Sequence, residues 1–194
     1  MASTLTVDTI VGATTAGTVK VPGAIIQTVH GKLTGQVAVT GTSGNDYIVD
    51  IGLSATITPK FSNSNIIINV TLYMGADQTN ASGYLQSYLL YKAGSGLTET
   101  MGDGVGGRRP VTGLINLYSV GTSNSSSQHK MGQVGGMHMD SNVGTTNATT
   151  YSVHCRCYSG GPVVYVNRSQ QFQSGGTDYD PTPQSTITLQ EVAQ

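Results

Sequence analysis

The residues best suited to chemistry fall in three short stretches. His138-Met139-Asp140 sets an imidazole and a carboxylate two positions apart, hence on one face of an extended strand. Such a pair is half of a metal site, which an assembly of three copies could complete on its axis, with His129 and His154 nearby in sequence as further ligands. The competing assignment is a pair of hydrogen-bonded or solvent-facing side chains. No single-chain ligand set has zinc-like spacing, and no cofactor is expected. Gly102-Asp103-Gly104-Val105-Gly106-Gly107 has the glycine spacing of a dinucleotide-binding turn, but Arg108-Arg109-Pro110 stands where the necessary helix should begin. It reads as a loop. Arg108 and Arg109 make it the one local cationic spot, open to an anionic glycan or simply to solvent. Asp178 and Asp180 could supply the paired carboxylates of glycoside hydrolysis, yet with Tyr179 between them and Pro181 following they equally suit an Asx turn. The nucleophile elbow, the His-Glu-x-x-His helix and the phosphate-binding loop are all missing from the sequence, so an enzyme is not expected.

These residues sit in a chain of unusually low charge. Only 10 % of its 194 residues are charged, against a typical quarter, and glycine alone occurs 26 times. Nine Lys and Arg against ten Asp and Glu leave a formal charge of -1, too few cations to build a basic face, so nucleic acid is not an expected partner. A hydrophobic content of 37 % without charge runs is enough for a core. Two glutamates and an abundance of β-branched and small residues argue for strands over helices. No run approaches the length of a membrane-spanning helix, and the opening Met1-Ala2-Ser3-Thr4 does not begin a signal peptide. Cys155 and Cys157 share a strand face about 7 Å apart, which suits two buried thiols better than an unstrained disulfide.

Strands must therefore position the chemistry. Apolar alternation at regular spacing predicts them over 24–29, 47–51, 54–58, 66–74, 84–91, 113–120, 131–139, 151–158, 163–167 and 185–192, with 66–74 as the central strand. Gly-, Asn- and Ser-rich loops separate them, the longest at 102–110, 121–128, 142–150 and 170–183. The expected class is an all-β antiparallel sandwich of the jelly-roll kind, spanning residues 24–194. Tyrosine carries the aromatic packing (Tyr 10, Phe 2, Trp 0), and Tyr84, Tyr88 and Tyr91 could lie together on one strand. Their amphipathic rings suit a surface half-buried against a subunit or a sugar, or ordinary inner-face packing. Residues 1–23 differ. Their short strands cannot fold alone, and a lone copy would expose Leu5, Val7, Ile10, Val19 and Val21, so this segment reads as a stem that needs partners.

Several stretches are recognisable. Ser3-Thr4-Leu5-Thr6-Val7-Asp8-Thr9-Ile10, Thr14 to Val19 and Pro22-Gly23 resemble the amino-terminal signature of tail-fibre-like virion structural proteins of marine phages and cyanophages. The stretch 52–62, Ala148-Thr149-Thr150-Tyr151, the run from Val164 to Ser169, and the closing run from Ser185 to Ala193 are similar to the same family. The resemblance implies a homotrimer, in which a short extended stem leads into a jelly-roll knob of the tumour-necrosis-factor/C1q-like kind. It implies a place on the virion, at the tail, baseplate or capsid, reached after synthesis in the host cytoplasm. Residues 1–23 would hold other virion proteins, and the knob would contact a host-surface polysaccharide or lipopolysaccharide. The contact loops would be 102–109 and 170–183, with Arg108, Arg109, Phe172, Asp178, Tyr179 and Asp180 bonding or stacking on sugars. The alternative role is a capsid-fibre, decoration or baseplate-linking protein without a receptor.

Overall fold

The computed structural model describes residues 20–40, 47–75, 85–117, 129–157, 163–170 and 181–194. Polar–apolar alternation in these segments produces strands throughout and, among the described residues, no α-helix. In chain order the strands are β1 (Ile25–Leu33), β2 (Val37–Thr40), β3 (Tyr47–Ile57), β4 (Asn65–Gly75), β5 (Leu85–Lys92), β6 (Ser95–Gly96), β7 (Gly113–Asn116), β8 (Met131–Asp140), β9 (Thr149–Cys157), β10 (Val163–Val166) and β11 (Ser185–Val192). Every pairing is antiparallel. One sheet runs β1-β11-β4-β8, with β10 continuing along β4 past the end of β11 and β2 lying on β10. The other runs β3-β9-β5-β7, with β6 on the remaining length of β5.

The inner faces meet in one core. Ile66, Ile68, Val70, Leu72 and Met74 of β4 and Ile187 and Leu189 of β11 pack against Leu53 and Ile57 of β3, Tyr151, Val153 and Cys155 of β9, and Leu90 of β5. The protein is an all-β antiparallel sandwich, and its strand order is compatible with a jelly roll. No helix among the described residues is long and apolar enough to cross a membrane.

β4 occupies the centre that its apolar run predicts, bonded by β8 on one edge and by β11 and β10 on the other. Alternation continues through that run, however. Ile66 and Ile68 are buried, while Ile67 faces outward opposite Met139. The two short strands expected at 47–51 and 54–58 are a single strand, β3. Gly52, at φ +79°, forms a bulge where the register slips between Asp50 and Leu53, and its N–H donates to Asp50 Oδ1 at 2.8 Å. β1 runs to Leu33, beyond the expected 24–29, because Gly31 lets it close onto the other sheet. A Cβ there would stand 2.0 Å from the Ser54 carbonyl oxygen. The four-residue β2 is too short to have been legible as a periodic run.

Two buried polar knots fix the frame. Asn167, fully buried at φ +58°, donates through Nδ2 to the carbonyls of Leu33 (2.7 Å) and Gly35 (3.0 Å). It also donates its N–H to Tyr73 O (2.9 Å) and accepts from Ser185 Oγ (2.6 Å), which in turn accepts the Tyr73 N–H at 3.1 Å. One residue, through its side chain and its backbone N–H, thereby joins the β1–β2 bend, β4, β10 and β11. At the other end, buried Glu191 accepts from Gln27 Nε2 (2.6 Å), Ser64 Oγ (2.7 Å), Lys60 N–H (2.8 Å) and Phe61 N–H (3.1 Å). Burial alone would raise its carboxyl, but these four donors together hold it below the ordinary value. Mutual bonds between residues 23–24 and Ala193 tie the start of β1 to the end of β11. Of the expected stem, Leu5, Val7, Ile10 and Val19 lie outside the described residues, and Val21 stands exposed just before the body.

Candidate functional site

Strand alternation in β8 turns His138 and Asp140 inward, toward the opposite sheet. Each meets a tyrosine there. His138 Nε2 and the Tyr88 hydroxyl share a hydrogen bond of 2.9 Å, their rings edge to face at 6.1 Å. The Tyr151 hydroxyl donates to Asp140 Oδ2 at 2.5 Å, and Lys92 Nζ lies 2.6 Å from the same oxygen. Burial pushes the Tyr88 phenol up to about 12 and lowers His138, so both are neutral at pH 7. Tyr151 is pushed up as well, first by burial and then by the bond to Asp140 and the charges of Asp140 and Glu99. Within the chain, the two residues of the alternative metal half-site are thus each committed to a cross-sheet partner. His154 does not join them, since it belongs to the outer face of the other sheet. Among the described residues, no group of three or more His, Cys, Asp or Glu side chains is placed to hold a metal ion.

On that outer face Tyr91 stacks on His154 with ring centroids 3.8 Å apart. Tyr88 and Tyr91, three residues apart on β5, therefore point to opposite faces, one into the core and one to the surface; Tyr84 lies outside the described residues. Ser152 Oγ is 3.0 Å and Asp50 Oδ2 4.0 Å from His154 Nε2. A serine, a histidine and an aspartate thus meet, but both contacts fall on one ring nitrogen. A nucleophile–base–orienter relay needs the two nitrogens divided between its partners. Burial lowers the His154 imidazole, with the Asp50 charge opposing that shift.

From the same face Arg156 Nη1 donates to Pro110 O at 2.8 Å and holds the base of the arginine loop. Gly102 N–H closes the loop onto Val111 O at 3.1 Å, and Gly106 and Gly107 turn its tip with φ of +69° and +76°. Residues 102–109 are all exposed, so Arg108 and Arg109 stand on a projecting turn beside Val105, which is 67 % exposed. The glycine stretch itself holds only a three-residue 3-10 turn, Val105–Gly107, and the next described element is the strand β7, so no helix of the kind a dinucleotide site requires follows it.

Phe172, Asp178, Tyr179 and Asp180 lie outside the described residues. The end of the same expected loop, residues 181–183, is described. With Tyr73 and residues 131–133 it lines an open pocket of about 350 Å³ against β4 and β8. The arginine turn is thus tied to β9 of one sheet, while residues 181–183 lie beside β4 and β8 of the other. Sequence reasoning missed Tyr73 and Gln133, which face each other across the β4–β8 pair. The available signal was an aromatic ring at an outward position of an alternating strand. No protein-family model matches the chain, and no curated protein matches it.

Proposed function

We propose that the chain is a non-enzymatic virion structural protein, a short tail-fibre-like appendage that trimerises and binds a host-surface glycan. The observation that carries this reading is where the family-like segments meet. Glu191, in the closing segment, gathers the backbone N–H groups of Lys60 and Phe61 from the segment 52–62. Ser185, also in the closing segment, donates to Asn167 in the segment that begins at Val164. Stretches far apart in sequence thus build the buried frame together, while the arginine turn and the 181–183 edge stand outside it. A rigid frame carrying separate loops suits an attachment module, whose specificity resides in its loops.

Outward Met137 and Met139, 74 % and 48 % exposed, with Ile67 beside them, form an apolar strip that favours packing against another subunit. In this reading the sandwich is a jelly-roll knob of the tumour-necrosis-factor/C1q-like trimeric kind, and residues 1–23 hold other virion proteins. Arg108 and Arg109, with Phe172, Asp178, Tyr179 and Asp180, engage polysaccharide or lipopolysaccharide.

Mass photometry of the full chain tests the assembly, and an array of neutral and acidic bacterial polysaccharides tests the ligand. A particle of three times the 20.1 kDa chain mass that retains at least one polysaccharide without shortening it is the expected result. A stable monomer overturns the assembly. A trimer with a blank array favours a second reading, suggested by the same methionine strip, of a capsid-fibre, decoration or baseplate-linking protein with no receptor.

A further inference from the structure

The pocket against β4 and β8 combines apolar walls with a few polar side chains. Tyr73, Met131, Pro181 and Pro183 supply apolar surface, and the Tyr73 hydroxyl, the Gln133 carboxamide and the Thr182 hydroxyl supply polar groups. None of these three polar groups is engaged by another group among the described residues. Among the described residues, no charged side chain lines the pocket. Its volume of about 350 Å³ lies at the small end of ligand sites and suits one or two sugar rings.

The walls are held in place from beneath. The Tyr73 N–H is fixed by Ser185 Oγ and its carbonyl by the Asn167 N–H, so the buried Asn167 knot sets the position of the tyrosine. Ser185 lies two residues after Pro183, so the same knot anchors the opposite wall. An amphipathic aromatic ring on a fixed backbone, beside an amide and a hydroxyl, matches a pyranose. The sugar's C–H face is apolar and its rim carries hydroxyls.

We propose that this pocket is a binding subsite for an uncharged pyranose, stacked on Tyr73 and hydrogen-bonded by Gln133 and Thr182. The proposal rests on the glycan-attachment reading and assigns the neutral part of the ligand to a place distinct from the arginine turn.

The test is saturation-transfer NMR and titration of the full chain with methyl α-glucopyranoside, methyl β-galactopyranoside and methyl α-mannopyranoside, with glucuronate as the charged comparison. At least one neutral glycoside is expected to receive saturation on its ring protons and to bind more tightly than glucuronate. Tyr73→Ala and Gln133→Ala should each weaken it about tenfold, corresponding to about 1.4 kcal/mol. Tyr73→Phe should retain most of the affinity, and Lys32→Ala, on an exposed position of β1, all of it. Gln133 is exposed on the sheet surface, so Gln133→Ala gives an answer even if Tyr73→Ala does not fold. Absence of saturation from every neutral glycoside, or equal binding by Gln133→Ala and the unaltered protein, overturns the subsite. The polysaccharide array separates the two readings. Array binding indifferent to Tyr73 and Gln133 sinks the subsite and spares attachment, whereas Tyr73-dependent glycoside binding with a blank array does the reverse.

Discussion

Glu191 shows how much one side chain can decide in a chain with so few acids. It ends the inward row of β11, where the pattern that places Ile187 and Leu189 in the core would otherwise call for another apolar residue. A buried carboxylate is costly unless donors surround it, and here two side chains and two backbone N–H groups do so. Its folded pKa lies below the ordinary carboxylate value, so the unfolded chain takes up the proton first as pH falls. The stabilisation is therefore complete above that ordinary value and is lost as pH drops through the folded one. Glu191→Gln keeps the shape but turns an amide N–H₂ toward the N–H groups of Lys60 and Phe61. At pH 7 it should cost about 2–3 kcal/mol, an estimate for leaving buried donors without their acceptor. Urea unfolding at fixed protein concentration, repeated from pH 7 to pH 3, should show the gap between the two proteins closing on the acid side. A gap that stays constant over this range would rule out the carboxylate as its source.

At the scale of elements, the joints matter more than the strands. Asn167 serves four strands at once, with every polar atom of its amide engaged and its backbone in the left-handed region that asparagine tolerates. Gly52 also has a positive φ, but nothing stands within 4 Å of where its Cβ would lie. Asn167→Ala should accordingly cost about 3 kcal/mol or more through lost buried hydrogen bonds, and Gly52→Ala only about 1–2 kcal/mol through backbone strain. Chemical denaturation of the two variants checks the ordering, and equal losses would show that the knot is not the stronger joint. The contrast also explains what could be read in advance. The strands of the core were legible because alternation is a local pattern, and so were the central place of β4 and the projecting arginine loop. The bulge at Gly52 was not, because a glycine between two apolar runs looks like a turn. The inward direction of His138 and Asp140 was equally hidden. Their shared face followed from spacing, but which face it was depended on Tyr88 and Tyr151, which reach β8 only when the sheets close.

For the molecule as a whole, the informative departure is an excess of apolar side chains where one sandwich has no use for them. Ile66-Ile67-Ile68 has the continuous apolar character of a strand buried on both faces, yet among the described residues Ile66 and Ile68 are buried in the core and Ile67 is only partly covered. Ile67 lies opposite Met139 on β8, and Met137 stands two residues before it on the same outer face. The strip thus spans neighbouring strands, as subunit contacts require. Low charge leaves little repulsion to keep copies apart, and a closed rotational assembly covers identical strips with one repeated contact. Gln133 is six residues from Met139, about 20 Å along an extended strand, so the pocket and the strip occupy opposite ends of this face. If the strip forms the trimer contact, Met137→Glu should shift mass photometry from trimer to monomer at submicromolar concentration. Each copy would then bring a carboxylate into an apolar contact, while the side chain, being exposed in the single chain, should leave the circular dichroism of the sandwich unchanged. Neutral glycoside binding at Tyr73 should survive in the monomer at lower avidity for long polysaccharides, since linked sites raise effective concentration. A trimer that withstands Met137→Glu and Met139→Glu together would place the subunit contact elsewhere, and the residues 1–23 would become the next segment to delete.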